Sequence, residues 1–416
     1  MVKIKIVSFG CSNNFAEGEM MAGLLQLEGY QIVDNQEDLI IINLCSVKGP
    51  SLNKGLREAK KSNAKVIFAG CIPKHEVKNL LELKPRASLI NTHNIDRIIE
   101  AVEKTLDNKQ VQFLEDSKKL KLCLPRKRKN KVISIIPISS GCVSSCNYCI
   151  VKSIKGDLFS YPPNKILKEV KNSLEENCKE IWITAQDTGC YGLDIGTTLP
   201  ELLKEILKIQ GDFKIRLGMA NPNFVHKYLK ELIEIFKEDK MFKFLHLPIQ
   251  SGSDKILKDM NRKYSIKQYK EIIKEFKKQI PGITISTDLI LGYPTEKEKE
   301  FQESIKLIKD TKPDILNINR FWSMPNTIAN KLKSLPSEII KKRSLEITKI
   351  FDKITLENNS KWLNWEGEII IDEKGKNNSF VGRNFAYKPV IVKGNFKFGE
   401  LIKVKIKETT KYDLRV

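Results

Sequence analysis

The chain has 416 residues and a formal net charge of +21, from 72 Lys and Arg against 51 Asp and Glu. A hydrophobic content of 41% with 30% charged residues is typical of a globular protein of two or three domains, and no apolar run approaches the ~20 residues of a membrane span. The N-terminus lacks a signal-peptide pattern, so we expect a cytoplasmic protein without membrane attachment. The positive charge indicates a polyanionic partner, above all nucleic acid, unless Lys serves only as a general surface residue.

Nine cysteines and four histidines limit the metal chemistry that the chain can perform. Reduced thiols in a cytoplasm act as metal ligands, nucleophiles or small buried residues, so a disulfide framework is not expected. The scarcity of His argues against mixed Cys/His zinc sites and against His-based hydrolases. We therefore expect the chemistry to depend on the cysteines.

The first part of the chain alternates between strand and helix patterns. This order predicts a parallel sheet, in which the carboxyl ends of the strands share one edge where ligands bind. Each of three strand patterns ends beside a cysteine, so we expect these cysteines to converge, although three unrelated buried cysteines would give the same pattern. The strand patterns are 3–10, 38–44 and 64–70, the helical patterns are 17–28 and 51–62, and the cysteines are Cys11, Cys45 and Cys71.

A basic segment with Pro near its start follows at 124–131 (LPRKRKNK). Its composition marks a domain boundary, and a solvated linker is the favoured interpretation, with phosphate contact as the alternative.

Cys142, Cys146 and Cys149 form a C-x3-C-x2-C run within GCVSSCNYCI. Three thiolates at this spacing can hold three irons of a cubane cluster and leave the fourth iron without a protein ligand. An open iron can bind a small molecule, as the open position of a catalytic zinc site does. This pattern favours an enzyme over an electron carrier.

Six strand patterns at regular spacing, with amphipathic helices between them, predict an incomplete (β/α)6 barrel whose chemistry lies at the carboxyl ends of the strands. Polar residues follow several of these ends, including Asn319. The strand patterns are 132–139, 180–184, 214–218, 243–248, 283–291 and 314–321, and helical patterns include 165–177 and 266–278.

From about residue 358 the pattern changes to short alternating strands separated by glycines. This texture predicts a small β-barrel, and such barrels often bind nucleic acid through basic strands and exposed aromatics. The aromatics could equally fill a small core. The strand patterns are 366–373, 379–385, 388–393 and 401–408, and the candidate RNA contacts are Arg383, Phe385, Tyr387, Lys388, Lys393 and Lys397.

These motifs together resemble the methylthiotransferase family of radical S-adenosylmethionine (SAM) enzymes over essentially the whole chain. The N-terminal motifs are GCSNN with EGE (10–19), NLCSVK (43–48) and AGCIPK (69–74), and the central motif is IPISSGCVSSCNYC. Segments 17–23 (EGEMMAG), 184–192 (TAQDTGCYG) and 216–222 (RLGMANP) resemble the archaeal and eukaryotic branch, which converts N6-threonylcarbamoyladenosine of tRNA, beside the anticodon, to its 2-methylthio form.

The resemblance implies two [4Fe–4S] clusters and SAM as cofactors. It assigns the SAM-cleaving cluster to Cys142, Cys146 and Cys149, and an auxiliary cluster to Cys11, Cys45 and Cys71. It also implies a methylthiotransferase domain at 1–123, a radical SAM core at 128–355 and an RNA-binding TRAM domain at 358–416. The expected partners are the tRNA anticodon loop and an electron donor such as a flavodoxin or ferredoxin, and we expect a monomer.

SAM requires polar contacts beyond iron. Gln186 and Asp187, directly after one strand pattern, are candidates for its ribose or amino group, and Arg216 and Asn221 are weaker candidates. Each of these residues could instead cap a strand end or bind water. His246 is a candidate for contact with SAM or with the base, or for a structural hydrogen bond.

The chain departs from the family pattern at three positions where the family usually has Arg, namely Lys155, Tyr161 and Met324. Lys cannot reproduce a bidentate guanidinium contact, and Tyr and Met carry no charge, so individual anion contacts are expected to differ. Two alternatives remain open from the sequence. One is a methylthiotransferase that acts on an aspartate of a ribosomal protein, and the other is a non-catalytic RNA-binding protein with structural zinc.

Overall fold

The computed structural model describes residues 1–47 and 49–416 of the chain. Its first part is a parallel six-stranded sheet in the order β2-β1-β3-β4-β5-β6, which confirms the predicted parallel architecture. Sequence patterning identified β1, β3 and β4 and missed three short strands. The strands are β1 Lys3–Ser8, β2 Gln31–Ile32, β3 Leu39–Cys45, β4 Lys65–Cys71, β5 Ser88–Asn91 and β6 Gln112–Phe113, and the helices are α1 Ser12–Leu27, α2 Gly49–Lys61, α3 Val77–Leu83 and α4 Ile98–Leu106, with 3-10 turns at Lys74–Glu76 and Ile95–Arg97.

Helices cover both faces of this sheet, which explains its continuous apolar strands. All seven residues of β3 are buried. Ile41 packs with the α1 and α4 side, whereas Ile40 and Ile42 pack with the α2 and α3 side, since successive side chains of a strand point to opposite faces. Lys48, the last residue of the 43–48 motif, lies outside the described residues.

The basic segment 124–131 is only partly solvated: Lys127, Lys129 and Lys131 are exposed, but the favoured interpretation as a solvated linker is wrong for its two arginines. The Arg126 side chain is 2% exposed and its Nε lies 2.8 Å from Glu169 Oε1. Arg128 is also buried and pairs with Glu176. Composition alone suggested solvent or phosphate as the partner, but the buried carboxylate of Glu169 and the partly exposed carboxylate of Glu176 neutralise these arginines instead.

The central part is an open barrel of six parallel strands, as predicted. Two three-stranded sheets, β7-β10-β11 and β12-β13-β14, meet through a parallel bridge between Ile215 and Met241. The main core lies between these strands and the surrounding helices. The strands are β7 Ile133–Pro137, β8 Ser139–Ser140, β9 Phe159–Ser160, β10 Glu180–Thr184, β11 Lys214–Leu217, β12 Phe244–His246, β13 Thr284–Leu291 and β14 Ile315–Arg320, and the helices are α5 Val151–Lys155, α6 Pro163–Glu175, α7 Leu199–Leu207, α8 Pro222–Lys227, α9 Leu229–Lys237, α10 Asp254–Asp259, α11 Ile266–Gln279, α12 Glu298–Thr311 and α13 Ser337–Ser360, with 3-10 turns at Thr188–Cys190 and Ala329–Lys331.

The last part is a six-stranded, mainly antiparallel sheet in the order β18-β15-β16-β17-β20-β19, a curled half-barrel around a small apolar core. The alternation predicted four of its strands, and the two short ones at the end were missed. The strands are β15 Glu366–Lys374, β16 Ser379–Arg383, β17 Pro389–Lys393, β18 Leu401–Lys405, β19 Glu408–Thr409 and β20 Leu414–Arg415.

This C-terminal sheet is docked onto the barrel by Tyr387. The Tyr387 ring makes an edge contact with Phe242 at 4.8 Å between centroids and with Trp182 at 6.2 Å. The backbone N–H of Lys243 donates to the carbonyl of Phe385 at 2.7 Å. Tyr387 and Ile370 of the C-terminal sheet pack here against Trp182, Phe242 and Phe244, on the face of the barrel strands opposite to the helices.

A buried carboxyl group lies in this interface. Glu180 is fully buried at the start of β10 and accepts a 3.0 Å hydrogen bond from Trp182 Nε1. Burial and then the nearby Asp372 raise the pKa of Glu180 from 4.5 to about 8.

Within the described residues no helix has the length and apolar character needed to cross a membrane.

Candidate functional site

The three N-terminal cysteines converge at one edge of the sheet, as predicted from their positions after the strands. Cys45 and Cys71 are the last residues of β3 and β4 and are directly paired across the two strands. Cys11 follows β1 and is the N-cap residue of α1. Cys45 and Cys71 are buried, whereas Cys11 is exposed. Because β1, β3 and β4 are adjacent parallel strands, their carboxyl ends bring together three thiols from three segments of the chain.

Glycines allow the close approach of these segments. Gly10 has φ +116°, and a Cβ there would lie 2.4 Å from Cys45 Cβ. Gly70 has φ +95°, and a Cβ would lie 2.3 Å from Asn43 Oδ1 and 2.6 Å from the carbonyl oxygen of Leu44. Any larger residue would therefore be strained at both positions and would displace the cysteine that follows.

Asn14 and Asn43 hold the three segments in register. Asn14 Nδ2 donates to the carbonyl of Leu44 at 2.8 Å, and Asn14 Oδ1 accepts from Cys11 Sγ at 3.3 Å. Asn43 Nδ2 donates to the carbonyl of Asn14 at 2.6 Å. A hydrogen bond between the thiols lowers the pKa of Cys45 and raises that of Cys71. Although Cys11 as a whole residue is exposed, protein atoms surround its thiol, and this desolvation raises the pKa of Cys11.

The second triad lies in the loop between β8 and α5 at the open end of the barrel. Backbone N–H groups of Ser144 and Val151 point at Cys142 Sγ and Cys149 Sγ, each at 3.4 Å. Such N–H···S contacts stabilise a ligand thiolate. Burial raises the pKa of the free Cys149 thiol to about 12, so in this setting a metal partner is needed to hold it as a thiolate.

Arg262 is a functional candidate that the sequence analysis did not identify. Its Nη1 donates to Cys146 Sγ at 3.2 Å and its Nε donates to the Tyr264 hydroxyl at 3.0 Å. Tyr264 in turn donates to the carbonyl of Ile249 at 2.7 Å. No local sequence pattern could indicate this contact, because it joins residues 116 positions apart.

The two triads lie next to each other. Cys71 packs in one apolar cluster with Ile150, Ile154 and Met324, and Ile150 directly follows Cys149. In residues 1–47 and 49–416, no three His, Cys, Asp or Glu side chains are arranged to bind a single metal ion. A cubane cluster places its thiolate-bound irons at separate corners, so a cluster triad does not need to converge on one point.

The three positions that depart from the family arginines have different surroundings. Lys155 is buried, and its Nζ lies 3.0 Å from Glu17 Oε1 of helix α1, so a cation is retained there. Tyr161 is buried and packs edge-on against Phe159. Met324 joins the apolar cluster that contains Cys71. At Tyr161 and Met324, buried packing contacts therefore take the place of the positive charge of the Arg that the family usually has.

Three of the predicted SAM contacts are grouped at the carboxyl ends of β10 and β11. Asp187 is buried and its Oδ1 accepts from the backbone N–H groups of Gly189 and Asn221, each at 3.0 Å. Its Oδ2 has no partner, and neither do Gln186 Oε1 and Asn221 Oδ1, although all three atoms are buried. Buried polar atoms without partners cost free energy, which fits a site that takes a polar ligand with amino and hydroxyl groups.

Arg216 lies apart from this group. Its guanidinium carbon is 4.6 Å from the Trp182 ring centroid, 4.9 Å from that of Phe244 and 5.1 Å from that of Tyr387. These cation–π contacts stabilise the docking of the C-terminal sheet. A role for Arg216 in SAM binding stays a prediction.

His246, the last residue of β12, forms a pair with Asp288 in the middle of β13. His246 Nε2 lies 2.7 Å from Asp288 Oδ2, and both side chains are about one-fifth exposed. The pair fits either expected role of His246. Cys190 is buried, and its Sγ donates to the carbonyl of Asp187 at 3.2 Å.

The expected RNA contacts of the C-terminal part divide into two groups. Tyr387 and Lys388 are buried, and Lys388 Nζ pairs with Asp314 Oδ1 at 2.8 Å, so the expectation of an RNA surface is wrong for these two. Arg383 is also engaged within the protein, since its Nε lies 2.9 Å from Asp372 Oδ2. The remaining candidates reach the surface and stay predictions: Phe385, Lys393 and Lys397.

Comparison with known proteins agrees with this arrangement. The Radical SAM superfamily profile matches residues 136–308, and that of the Uncharacterized protein family UPF0004 matches residues 3–91. A probable threonylcarbamoyladenosine tRNA methylthiotransferase of Pyrococcus abyssi is 41% identical over 413 residues, which cover 96% of this chain and 97% of the relative. The threonylcarbamoyladenosine tRNA methylthiotransferase of Homo sapiens is 35% identical and matches 99% of this chain and 73% of its own length.

Solved structures support the fold. A radical S-adenosylmethionine methyltransferase from Kitasatospora setae superposes with a TM-score of 0.55 at 11% identity, over 76% of this chain and 72% of that protein. Membership of the radical SAM superfamily brings SAM and a [4Fe–4S] cluster as cofactors. The near-complete coverage and the level of identity show that this chain belongs to the threonylcarbamoyladenosine tRNA methylthiotransferase family of radical SAM enzymes.

Proposed function

We propose that this protein converts N6-threonylcarbamoyladenosine beside the anticodon of tRNA to its 2-methylthio derivative. The observation that carries the proposal is the juxtaposition of two cysteine triads from different parts of the chain, joined through the apolar cluster of Cys71, Ile150, Ile154 and Met324. A reaction that activates a C–H bond and also inserts sulfur requires two reactive centres within reach of one base.

Each triad is proposed to hold one [4Fe–4S] cluster, Cys142, Cys146 and Cys149 the SAM-cleaving cluster, and Cys11, Cys45 and Cys71 the auxiliary cluster. Both triads consist of thiols only, the ligands that such clusters use. When bound with SAM, the first cluster supplies a carbon radical able to remove the hydrogen from C2 of adenine, which acid–base side chains cannot do.

The protein's own groups bind and orient these cofactors. Arg262 donates to Cys146 Sγ, and the backbone N–H groups at 144 and 151 donate to the other two sulfurs. Gln186, Asp187 and Asn221 offer the unpartnered oxygens Oε1, Oδ2 and Oδ1 to the polar groups of SAM. The buried side chains around Cys71 exclude water from the space between the triads.

The charge of the chain supports tRNA as the substrate. A net charge of +21 favours a polyanion and predicts binding that weakens steeply with salt. A base in a single-stranded anticodon loop leaves its stack at low cost, which a site enclosed between two parts of the protein requires. We further propose that the protein is a monomer with domains at 1–123, 128–355 and 358–416, and that a flavodoxin- or ferredoxin-type protein supplies the electron.

The test is mass spectrometry of nucleosides from tRNA incubated with the cluster-loaded protein, SAM, a reductant and a sulfide source. Two tRNA preparations are compared, one with and one without the threonylcarbamoyl group. The proposal expects the 2-methylthio nucleoside only in the first. Its absence from both, together with methylthiolation of a ribosomal protein in a parallel reaction, would overturn it.

A further inference from the structure

A buried cluster of charges lies between the N-terminal sheet and the barrel. Glu17 Oε1 is 2.7 Å from Lys121 Nζ and 3.0 Å from Lys155 Nζ. Thr92 Oγ1 donates to the same oxygen at 2.5 Å and contacts Lys155 Nζ, and its carbonyl accepts from Lys121 Nζ at 2.7 Å. The side chains of Glu17, Lys121 and Lys155 are 1%, 8% and 4% exposed.

This cluster has an excess of positive charge. Two ammonium groups face one carboxylate, so one positive charge has no partner within the cluster. Burying an unpaired charge is costly, and such charges persist in proteins where a further partner is present. Burial alone would raise the pKa of Glu17, but Lys121 and Lys155 lower it to about 2, so Glu17 is ionised and already counted in this balance.

The excess charge lies beside the auxiliary triad. Ile154, the residue before Lys155, packs in one buried cluster with Cys71, and Glu17, which Lys155 contacts, lies on the helix that Cys11 caps. Burial would lower the pKa of Lys155, but Cys71, Glu17 and Cys11 raise it above its ordinary value. In return, the charge of Lys155 acts to lower the pKa of each of the thiols Cys11, Cys45 and Cys71. These directions agree with the position of Lys155 beside the triad, where Glu17 is its directly contacting charged partner.

We propose that Lys155 is the positioning residue that sets the reduction potential of the auxiliary cluster by supplying its counter-charge. The inference rests on the proposed function, which places a [4Fe–4S] cluster on Cys11, Cys45 and Cys71. An oxidised cubane core carries a formal charge of two plus, so three thiolates leave the cluster with one negative charge. Added to Glu17, it balances the two ammonium groups of Lys121 and Lys155.

Lys155 also links the two cluster-bearing elements. It ends α5, the helix that directly follows the SAM-cluster loop, whereas Glu17 lies on α1, the helix that Cys11 caps. The auxiliary cluster thus takes its counter-charge from the element that binds the other cluster. A Lys at this position preserves the charge of the Arg that the family usually has.

The test uses protein in which Cys142, Cys146 and Cys149 are all replaced by Ala, so that only an auxiliary cluster is measured by EPR-monitored redox titration. Reduction adds negative charge, so Lys155→Met is expected to disfavour the reduced form at least tenfold, a fall of ~59 mV for a one-electron couple. Glu17→Gln, which removes a negative charge, is expected to shift the potential in the opposite direction.

Lys155→Arg should restore the wild-type potential. Lys152→Met on the same helix, whose surface ammonium pairs with Asp157 at 2.9 Å, should leave it unchanged. If Lys155 and Glu17 had purely structural roles, Lys155→Met and Glu17→Gln would shift the reduction potential in the same direction or not at all. Either result would overturn the inference. If Lys155→Met fails to assemble a cluster, Glu17→Gln alone tests the inference: a higher reduction potential supports it, and a lower or unchanged potential overturns it. Absence of iron from the triple-Ala background itself would refute the two-cluster proposal instead.

Discussion

The guanidinium of Arg262 and the thiol of Cys146 lie 3.2 Å apart, although the two residues are 116 positions apart in the chain. Charge-assisted hydrogen bonds to sulfur stabilise a thiolate by a few kcal/mol and so stabilise a cluster that the thiolate holds. We expect Arg262→Met to release iron to a chelator at least ~10-fold faster than the wild type, and Arg262→Lys to lie between the two. The exposed neighbouring Lys263→Met is the control. Equal release rates in all variants would show that the contact does not stabilise the cluster.

The two triads are expected to have separate roles. Cys146→Ala should abolish both SAM cleavage and the methylthio product, because it removes a ligand of the SAM-cleaving cluster. Cys45→Ala should keep SAM cleavage and lose the product, because only the sulfur-presenting centre is affected. Chromatography of 5′-deoxyadenosine and nucleoside mass spectrometry measure the two steps, with Cys123→Ala, outside both triads, as the control. Normal SAM cleavage by the Cys146 variant would refute this assignment.

The glycine before Cys71 should be required for the auxiliary cluster. Gly70→Ala combines a positive φ with a Cβ 2.3 Å from Asn43 Oδ1, so it should displace Cys71 and lower the iron content from about eight to about four per chain. Gly29→Ala has a similar φ of +83° but no atom within 4 Å of the new Cβ. It should cost only ~1 kcal/mol in the free energy of unfolding and keep all its iron. Iron analysis and denaturant unfolding distinguish the two outcomes.

Asp187 is expected to bind SAM through its unpartnered Oδ2. Asp187→Asn keeps an acceptor for the N–H groups of Gly189 and Asn221 but replaces the anionic oxygen, so we expect the dissociation constant for SAM to rise at least ~10-fold with an unchanged melting temperature. Equilibrium dialysis with the cluster-loaded protein measures the constant. The control is Asp212→Asn, which removes an exposed carboxylate near the other end of the strands. Unchanged affinity would remove Asp187 from the binding site.

The stability of the docked C-terminal sheet should depend on pH through Glu180. Its pKa of about 8 in the folded protein lies above its ordinary value of 4.5. Between these values the folded state binds a proton that the unfolded state does not. The stabilisation of the folded state by protonated Glu180 is therefore complete below pH 4.5. It is lost as the pH rises to 8, and the free energy of unfolding falls by ~1.4 kcal/mol per pH unit. The difference in melting temperature between wild type and Glu180→Gln, measured from pH 5 to pH 8.5, should follow this trend, and a constant difference would contradict it.

The sequence was sufficient to predict three strand ends and therefore the N-terminal triad, while the C-x3-C-x2-C spacing alone indicated the second triad. Buried strands that stop at Cys45 and Cys71 indicate one sheet edge without knowledge of the fold, because parallel strands share their carboxyl ends. The regular spacing of six apolar runs predicted the barrel for the same reason.

Contacts between distant charged residues could not be predicted in this way. Lys155 and Glu17 are 138 positions apart, and no local pattern distinguishes a buried Lys from a surface one. The same limit explains the errors at Arg126, Tyr387 and Lys388, whose partners belong to other parts of the chain. Arg216 faces the aromatic interface because of the alternation along β11, whereas the prediction for it used only its closeness to the strand end.

The aromatic interface at Tyr387 has a consequence for the size of the substrate. Tyr387 contacts both Phe242 and Trp182, so a buried aromatic contact between the C-terminal sheet and the barrel sets the separation of Lys393 and Lys397 from the cysteine triads. An RNA that touches those lysines while its base lies between the triads must span that separation. If Lys393 and Lys397 contact RNA as predicted, the docking of the C-terminal sheet sets the length of RNA between that contact and the modified base.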